Sequence, residues 1–396
     1  MTAVTPVYLD YNATTPVDPG VLEAMLPYLR DDFGNPSSAH ALGVRARDAV
    51  ETARAEVAAL IGAAPDEIIF TGGGTEASNI AVRGAVRVDR SRGDVVTTTI
   101  EHPATEACCA FLEGEKHKVT RVEAQPNGVV DPARVDAAID GKTALVTIIH
   151  AQNEIGTIQP VAEIAATARR RGTFTHADAA QSVGKIPVDV KELGVDFLSI
   201  AGHKLYAPKG VGALYARRGV ALPPLLLGAG QERGRRPGTE NVAFIVALGE
   251  ACRIASVMLA SERRRLSHLA DVLFAGLERE IPGVVLVGRR SQRLPNTVNV
   301  LFPNVSGRLL LENCSRVLAS TGSACHADSE DPSAILTALG IPRDQALGAV
   351  RLSLGRGTTQ EDVAVAISHL AAAWRLTSRA MQRDDHASIN RRIRSA

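Results

Sequence analysis

Three short polar segments of the chain each follow an apolar run and carry residues that could do chemistry. The first, residues 69–79, passes through three consecutive glycines to Thr75. Glycines let backbone N–H groups approach an anion closely, and a helix start adds a favourable dipole. The segment has neither the GxxxxGK[ST] phosphate loop nor the dinucleotide pattern GxGxxG. It therefore indicates either a phosphate-binding turn around Gly74 and Thr75 or a tight strand-to-helix turn.

The other two segments place a carboxylate and a lysine directly after apolar runs. Asp178 follows one such run, with Gln181 close behind it, and open α/β sheets bind ligands where their strands end. Lys204 follows the run Phe197–Ile200 in a glycine-bounded turn, where partial desolvation would lower the pKa of its amine and make it nucleophilic. Taken singly, each residue could instead be an ordinary solvated side chain.

Together the three segments contain the parts of one cofactor site. Pyridoxal phosphate requires a phosphate cradle, a lysine that forms a Schiff base, and an acidic group that keeps the pyridine nitrogen protonated so that the ring can store electrons. The glycine turn, Lys204 and Asp178 supply these parts. The sequence therefore predicts a pyridoxal 5'-phosphate site.

Apolar runs and helical patterns alternate along the first 240 residues. Short β-branched or apolar runs predict strands, and patterns with apolar residues on one face predict helices. The predicted strands are Asp66–Phe70, Gly93–Ile100, Ala144–Ile149, Phe174–Ala177, Phe197–Ile200 and Val211–Tyr215, and the predicted helices include Val44–Ile61, residues 131–141 and Val161–Arg171. This alternation is typical of an α/β layer with a largely parallel sheet.

The pattern changes from about Asn241. A long helical stretch to Glu280, with a candidate break in its middle, is followed by the predicted strands Val284–Val287 and Thr297–Leu301 and by more helix. We therefore predict a large domain at residues 17–255 and a small α+β domain formed by residues 1–16 and 256–374. Residues 375–396 contain six arginines and two aspartates, and we expect a flexible tail or frayed helix end there rather than a nucleic-acid arm.

Composition excludes several classes of protein. Of the 396 residues, 45% are hydrophobic, which is enough for a core and excludes a wholly disordered chain. The net charge of +1 disfavours a nucleic-acid partner. We see neither an apolar run near the roughly 18 residues of a membrane span nor a secretion signal, so we expect a cytoplasmic protein without a membrane partner. The ten histidines show no HExxH-like spacing, which predicts no metal site.

One of the five cysteines differs from the others. An odd number without CxxC spacing argues against a disulfide framework and for a reducing compartment. Cys325 lies in the small and polar stretch 320–331, where we expect an exposed, mobile loop in which a thiol can ionise. Four cysteines lie in apolar or amphipathic helical stretches and are expected to pack in the core: Cys108, Cys109, Cys252 and Cys314.

The segment Tyr8-Leu-Asp-Tyr-Asn-Ala-Thr-Thr-Pro16 and nine motifs after it follow one another along nearly the whole chain, to about Arg356. The nine motifs are Gly34-Asn-Pro-Ser-Ser38, Gly73-Gly-Thr-Glu76, Glu101-His102, Asn153-Glu-Ile-Gly156, Asp178-Ala-Ala-Gln181, Gly202-His-Lys204, Arg236-Pro-Gly-Thr239, Gly322-Ser-Ala-Cys325 and Arg351-Leu-Ser-Leu-Gly-Arg356. In this order they resemble the cysteine desulfurase and selenocysteine lyase family, within class V of the fold-type I pyridoxal-phosphate enzymes. The resemblance implies a homodimer whose large domain holds a mostly parallel, seven-stranded sheet flanked by helices.

The resemblance also implies roles at the cofactor ring and at the sulfur. Lys204 would form the Schiff base and later move the Cα proton of the substrate, and His102 would stack on the ring and shuttle protons. Asp178 would pair with the pyridine nitrogen, and Gln181 would bond the phenolic oxygen. Cys325 would be the nucleophile that takes up sulfur as a persulfide.

Two further groups of residues are implied for the phosphate and the substrate. A guanidinium fork suits a carboxylate, which is the reason to expect an arginine at the substrate. The residues implied for the cofactor phosphate are Gly74, Thr75, His203 and, from the other subunit, Thr239. Those implied for the substrate are Asn12, Asn153 and Arg351, and Asn153 would also contact the cofactor.

The sequence departs from the usual family pattern in three places. Ala201 stands where many relatives have a serine whose hydroxyl bonds the phosphate, and Gln152 stands where asparagine is common. The residues after Cys325 are His-Ala-Asp, a pattern that, with Arg-Pro-Gly-Thr-Glu-Asn241, resembles the selenocysteine lyases of animals. These departures bear on the substrate rather than on the chemistry.

We therefore predict a cysteine desulfurase that converts L-cysteine to L-alanine and passes sulfur to an acceptor protein for iron–sulfur cluster assembly or thiolation. The nearest alternative is a selenocysteine lyase. A nicotinamide-dependent oxidoreductase of doubly wound fold is disfavoured by the missing GxGxxG, and a non-catalytic interaction protein of the same fold by the retention of Lys204, Asp178, His102 and Cys325. The sequence names neither the acceptor nor the pathway.

Overall fold

Strands and helices alternate through the first two thirds of the chain, and helices dominate the rest. This computed structural model describes residues 5–89, 91–322 and 331–394, and of residues 381–394 only the backbone. The strands are β1 (Val7–Tyr8), β2 (Ile68–Thr71), β3 (Asp94–Thr98), β4 (Val119–Val122), β5 (Thr143–Ile149), β6 (Phe174–Asp178), β7 (Phe197–Ala201), β8 (Gly212–Ala216), β9 (Val285–Leu286), β10 (Thr297–Leu301), β11 (Val317–Leu318) and β12 (Ala349–Ser353). The helices are α1 (Pro19–Arg30), α2 (Ala41–Leu60), α3 (Gly74–Ala85), α4 (Pro103–Gly114), α5 (Pro132–Ala138), α6 (Val161–Arg170), α7 (Val190–Leu193), α8 (Val242–Glu280), α9 (Gly307–Glu312), α10 (Ala334–Ala338), α11 (Arg343–Ala346) and α12 (Gln360–Arg394).

A seven-stranded sheet forms the centre of the fold, in the order β2-β8-β7-β6-β5-β3-β4. The strands from β7 to β4 run parallel, and β8 runs antiparallel to both of its neighbours. Strands β5, β7 and β8 are buried along their whole length, because helices cover both faces of the sheet. The α/β class with a mostly parallel, seven-stranded sheet is confirmed.

A second apolar cluster lies around the three-stranded antiparallel sheet β12-β10-β9. It includes Val7 and Leu9 from the start of the chain and residues between Leu266 and Ala373. Helix α8 spans both regions: its first half, to Ala255, packs in the core of the large sheet, and its second half, from Leu266, packs in the smaller cluster. The domain boundary at residues 255 and 256 stays a prediction, although the change of cluster falls beside it.

The structure corrects several details of the predicted elements. Helix α8 runs without a break through Arg263–Arg265, and β4 and β12 occupy stretches in which no strand was expected. The basic tail continues α12 as helical backbone to Arg394, and its flexibility stays a prediction.

By length and composition alone, α8 would be able to cross a membrane. Half of its most apolar window is buried inside the protein, and the helix as a whole packs against α1, α2 and α12. Core helices have the same composition, so this helix is weak evidence for a membrane span.

Candidate active site

The carboxyl ends of five strands meet at one edge of the central sheet, and a cleft opens there. Strands β3, β5, β6 and β7 run parallel, and β2 has the same direction because the strand between β2 and β7, β8, is antiparallel to both. All five strands therefore end at this edge. The loops after these strands line a cleft that encloses about 870 Å³, its open mouth included, within the range of small-molecule sites. Ten predicted site residues line it: Asn12, Gly74, Thr75, His102, Asn153, Asp178, Gln181, His203, Lys204 and Arg351.

The glycine-rich turn after β2 presents the start of α3 to this cleft. Gly73 precedes the helix with a φ of +150°, and the first N–H groups of a helix have no partner within it. Strand β8 approaches so closely that a Cβ on Gly212 would lie 2.7 Å from the carbonyl carbon of Gly73. Thr75 and Gly74 therefore form an anion cradle held against the sheet.

An ion pair supports the cradle from outside the cleft. The carboxylate of Glu76 accepts the N–H of Gly72 at 2.6 Å and the Nε of Arg236 at 2.8 Å. The motif Arg236-Pro-Gly-Thr239 is thereby linked to α3. Thr239 itself is exposed and does not line the cleft.

Lys204 lies in the single-turn 3-10 helix Gly202–Lys204 that directly follows β7. Its Nζ donates hydrogen bonds to the backbone carbonyls of Asn12 and Ala13. The amine is thereby held at the wall of the cleft. Next to it, burial lowers the pKa of His203 to about 4, assisted by the charge of Lys204.

Asp178 and Gln181 line the cleft together with the glycine turn. Asp178 ends β6, is 4% exposed, and accepts the N–H of Ala180 through Oδ1 at 3.0 Å. Gln181 follows in a turn and donates from Nε2 to the carbonyl of Asn12 at 3.0 Å. A buried carboxylate at this place can hold a proton on a ring nitrogen.

Asn12 connects the two sides of the cleft. Its Nδ2 donates to the carbonyl of Asn153 at 3.1 Å and to Thr297 Oγ1 at 2.8 Å. Its Oδ1 accepts from Asn296 Nδ2 at 3.0 Å and from the Nζ of Lys185 at 2.9 Å. Lys185 had no role in the sequence motifs, because a lysine in a polar turn gives no signal by itself.

His102 is the N-cap residue directly before α4, and it lines the cleft. Its Nδ1 accepts the N–H of Ala104 at 3.1 Å, which is the geometry of a helix cap. Burial lowers the pKa of His102, the charge of Asp178 opposes this shift, and that of Lys204 adds to it. The ring is therefore oriented by its own helix and favours the neutral form.

Arg351 reaches the cleft from β12 in the second apolar region. It is 2% exposed and is paired with Asp10 Oδ1 through Nη2 at 2.8 Å. Nη1 donates to the carbonyl of Asn153 at 3.3 Å, whereas Nε has no partner among the described residues. The guanidinium therefore has a donor, Nε, with which it can bind an anionic group in the cleft.

Cys325 lies outside the described residues, but both flanks of its segment are described. Ser320 pairs with Arg351 through backbone hydrogen bonds. Gly322 on one side and Asp331–Ser333 on the other line a second cavity, which shares Asn153 with the cleft. The segment that carries Cys325 therefore begins and ends next to the substrate-side residues.

The remaining four cysteines are confirmed as core residues. Cys108, Cys109, Cys252 and Cys314 are buried without a disulfide. Burial raises the pKa of all four thiols, to about 11 for Cys108 and about 12 for Cys109. None of them favours the thiolate form that reacts.

The donors around the cleft fit pyridoxal phosphate. The start of α3, with Thr75 and His203, would hold the phosphate, and Asp178 the pyridine nitrogen. Lys204 provides the amine for the Schiff base, and the buried, unpartnered Nε of Arg351 indicates a site for an anion. Ala201 lines the phosphate side and brings no hydroxyl to it.

Comparisons with known proteins agree with this geometry. Residues 7–365 match the family model for aminotransferase class-V. The chain is 47% identical to the cysteine desulfurase IscS of Methanosarcina thermophila, covering 90% of this chain and 89% of that protein, and 46% identical to the cysteine desulfurase of Mus musculus, covering 90% and 79%. Among solved structures, a NifS-like protein superposes with a TM-score of 0.87 at 37% identity over 93% of this chain and 99% of that one.

A further solved structure, SspA in complex with cysteine, has a TM-score of 0.79 at 38% identity and covers 88% of this chain and 98% of that one. These likenesses span both apolar regions of the fold. The family model likewise extends from β1 to within α12. The chain therefore belongs to the aminotransferase class-V family of pyridoxal-phosphate enzymes.

Proposed function

We propose that this protein is a cysteine desulfurase that uses pyridoxal phosphate to convert L-cysteine to L-alanine and takes up the sulfur on Cys325. The observation that carries the proposal is the meeting of Lys204, Asp178, His102 and Arg351 in one cleft. Relatives named cysteine desulfurase at 45–47% identity over 90% of the chain support the same reaction, and a related structure contains cysteine.

The residues of the cleft divide the work between them. Bound pyridoxal phosphate stores the electrons released at the substrate Cα. Lys204 provides the amine that holds the cofactor and afterwards moves the Cα proton. The neutral His102 would take part in proton transfer at the cofactor, and Asp178 would keep its ring nitrogen protonated. Arg351, with Asn153 and Asn12, binds the substrate carboxylate.

Sulfur transfer requires Cys325 as a thiolate. Its Sγ attacks the substrate sulfur, so that a sulfur–sulfur bond forms while the bond between substrate Cβ and sulfur breaks. The electron pair of the broken bond stays with the substrate carbon, which takes up a proton and becomes the methyl group of alanine. The persulfide on Cys325 then passes its outer sulfur to an acceptor.

Partners and location form a further part of the proposal. We propose a sulfur-acceptor protein, such as an iron–sulfur scaffold or a thiolation protein, and a homodimer in which Thr239 serves the other subunit. The exposure of Thr239, away from the cleft of its own chain, supports the second statement. Cytoplasmic localisation stays a prediction.

Alanine formation, persulfide detection and cofactor absorbance test the proposal together. The purified holoenzyme should turn over L-cysteine and form a persulfide, and Cys325→Ser should lose both. Lys204→Ala should lose the visible absorbance band, whereas Lys191→Met, an exposed lysine on α7, should keep it. An unchanged band in Lys204→Ala would show that another residue holds the cofactor.

The selenocysteine lyase is the remaining alternative from the sequence, since His-Ala-Asp follows Cys325. The comparisons give no observation in its favour. Parallel assays with L-cysteine and L-selenocysteine separate the two activities. Fast turnover of selenocysteine with almost none of cysteine would replace the proposal by this alternative.

A further inference from the structure

A second lysine, Lys185, lies beside the cleft on the turn that follows Gln181. Its side chain is half-buried, and its Nζ donates to Gln181 Oε1 at 2.6 Å and to Asn12 Oδ1 at 2.9 Å. Gly184 (φ +75°) fixes this turn, because a Cβ there would lie 2.1 Å from Leu205 Cδ2. The backbone at Gly184, just before Lys185, is thus packed against Leu205, the residue next to Lys204.

The partners of Gln181 determine which end of its amide faces the cleft. The oxygen and the NH₂ of an amide are almost equal in size, so hydrogen-bond partners alone decide its orientation. The amine of Lys185 is a donor and therefore binds the amide oxygen Oε1, so that Nε2 faces away from Lys185. One N–H of Nε2 bonds the carbonyl of Asn12, and Gln181 lines the cleft, so the other N–H serves a group bound there.

Lys185 occupies a place that is electrostatically costly for a cation. Burial lowers its pKa well below the usual value, and the charges of Lys204 and Arg351 lower it further. A neutral side chain of similar length would avoid this cost. The position of Lys185 therefore indicates a function for its hydrogen bonds rather than a contribution to stability.

We propose that Lys185 is a positioning residue for the cofactor: it holds the amide of Gln181 so that an N–H donor faces the phenolic oxygen of the ring. This inference rests on the assignment of Gln181 to that oxygen in the proposed function. A donor at this oxygen stabilises its negative charge and so lowers the pH at which the bound cofactor loses its proton. Without Lys185 the carbonyl of Asn12 alone orients the amide, and the N–H donor is held less firmly towards the ring.

A pH titration of the cofactor absorbance in purified holoenzyme tests this inference. Lys185→Met and Gln181→Met should each raise the titration midpoint by about one pH unit, the size expected for one hydrogen bond to a charged group. The double variant should match Gln181→Met, because Lys185 acts through Gln181. Lys185→Arg, which keeps donors, should recover part of the shift, and Lys191→Met should titrate like the wild type.

The outcomes separate this inference from the proposed function. If Gln181→Met shifts the midpoint and Lys185→Met does not, the role of Lys185 is wrong and that of Gln181 stands. If neither variant shifts it, the assignment of Gln181 is wrong as well. Additive shifts in the double variant would mean that Lys185 acts by its charge alone. A lower thermal stability of Lys185→Met with an unchanged titration midpoint would mean that Lys185 only stabilises the fold. Should Lys185→Met fail to bind the cofactor, Lys185→Leu, which also lacks a donor, provides the same comparison.

Discussion

Glu101, the neighbour of His102, is a carboxyl group in an apolar setting. Its Oε1 accepts the hydroxyl of Thr98 at 2.5 Å and the N–H of Ile149 at 3.1 Å, whereas Oε2 has no partner among the described residues. Burial raises the pKa of Glu101 to about 8. The side chain is therefore mostly protonated at neutral pH in the folded protein and ionised in the unfolded chain.

Glu101 should make the folded protein less stable as the pH rises. Between its unfolded pKa of 4.5 and its folded pKa of about 8, the folded state binds more protons, so the free energy of unfolding falls with rising pH. Glu101→Gln should remove this dependence and stabilise the protein at alkaline pH by up to about 5 kcal/mol. Urea unfolding of the holoenzyme at acidic and alkaline pH measures this change in the free energy of unfolding.

An exposed carboxyl at the opposite end of α4 provides the control for Glu101. Glu115→Gln, at the end of α4, should leave the pH dependence of unfolding unchanged. If wild type and Glu101→Gln show parallel pH profiles, then Glu101 is ionised in the folded protein and some unassigned group compensates its charge.

The sequence predicted the residues that bind and react better than the residues that orient them. Lys204 and Asp178 were predicted because each follows an apolar run at the edge of a parallel sheet. Lys185 and Asp10 gave no comparable signal, because their importance depends on contacts with Asn12 and Arg351 across large separations in sequence. Tertiary packing decides which polar side chains come into contact. The spacing of residues along the chain does not contain this information.

At the scale of elements, a buried ion pair anchors the loop that carries Thr239. The guanidinium of Arg54, on α2, binds the carboxylate of Glu232 with two hydrogen bonds of 2.8 Å. Glu232 also accepts the N–H of Phe70 in β2 at 2.9 Å. Both Glu232 and Arg233 have positive φ angles, of 47° and 58°, a backbone conformation that tertiary contacts must stabilise.

Removing one partner of this pair should be more costly than replacing both. Glu232→Gln leaves the charge of Arg54 buried, and we expect a loss of about 3 kcal/mol in the free energy of unfolding. The double variant Arg54→Met with Glu232→Gln should recover most of that loss, because the buried charge is gone and the amide oxygen can still accept the N–H of Phe70. Urea unfolding measures both.

The partly exposed pair Arg253–Glu250 on α8 is the matched comparison for the buried one. Glu250→Gln should cost less than about 1 kcal/mol. If Glu232→Gln costs no more than this, then the buried pair does not hold the loop, and its two left-handed residues must be stabilised by other contacts.

Element prediction failed where a strand carries charge or a helix changes partners. Strand β12 contains the buried Arg351, and β4 is a half-exposed edge strand with Arg121 in it, so neither resembles an apolar run. The charged middle of α8 indicated a break, yet the helix continues there between its two apolar clusters. In this charged middle, Arg265 donates hydrogen bonds to the carbonyls of Gly355, Arg356 and Thr358.

At the scale of the whole molecule, the cleft is built from distant parts of one chain. Asn12 and Arg351 come from the region of the smaller apolar cluster, and Lys204 and Asp178 come from the central sheet. Thr239 is the one predicted site residue among those described that lies away from this cleft. If its hydroxyl serves a phosphate, that phosphate belongs to another copy of the chain.

Mixed dimers can decide whether Thr239 acts on the partner subunit. In a dimer of one Lys204→Ala chain and one Thr239→Val chain, action between subunits leaves one site with both native residues, whereas action within a subunit leaves none. We therefore expect the mixed dimer, purified through two different tags, to hold about half of the wild-type cofactor, one site in two. This cofactor should dissociate during dialysis as slowly as it does from wild type. The Thr239→Val homodimer should lose its cofactor faster. Loss from the mixed dimer at this faster rate would place Thr239 at the site of its own chain. A Thr239→Val homodimer that loses cofactor as slowly as wild type would mean that Thr239 serves neither site, and a single-chain mass in solution would contradict the dimer itself.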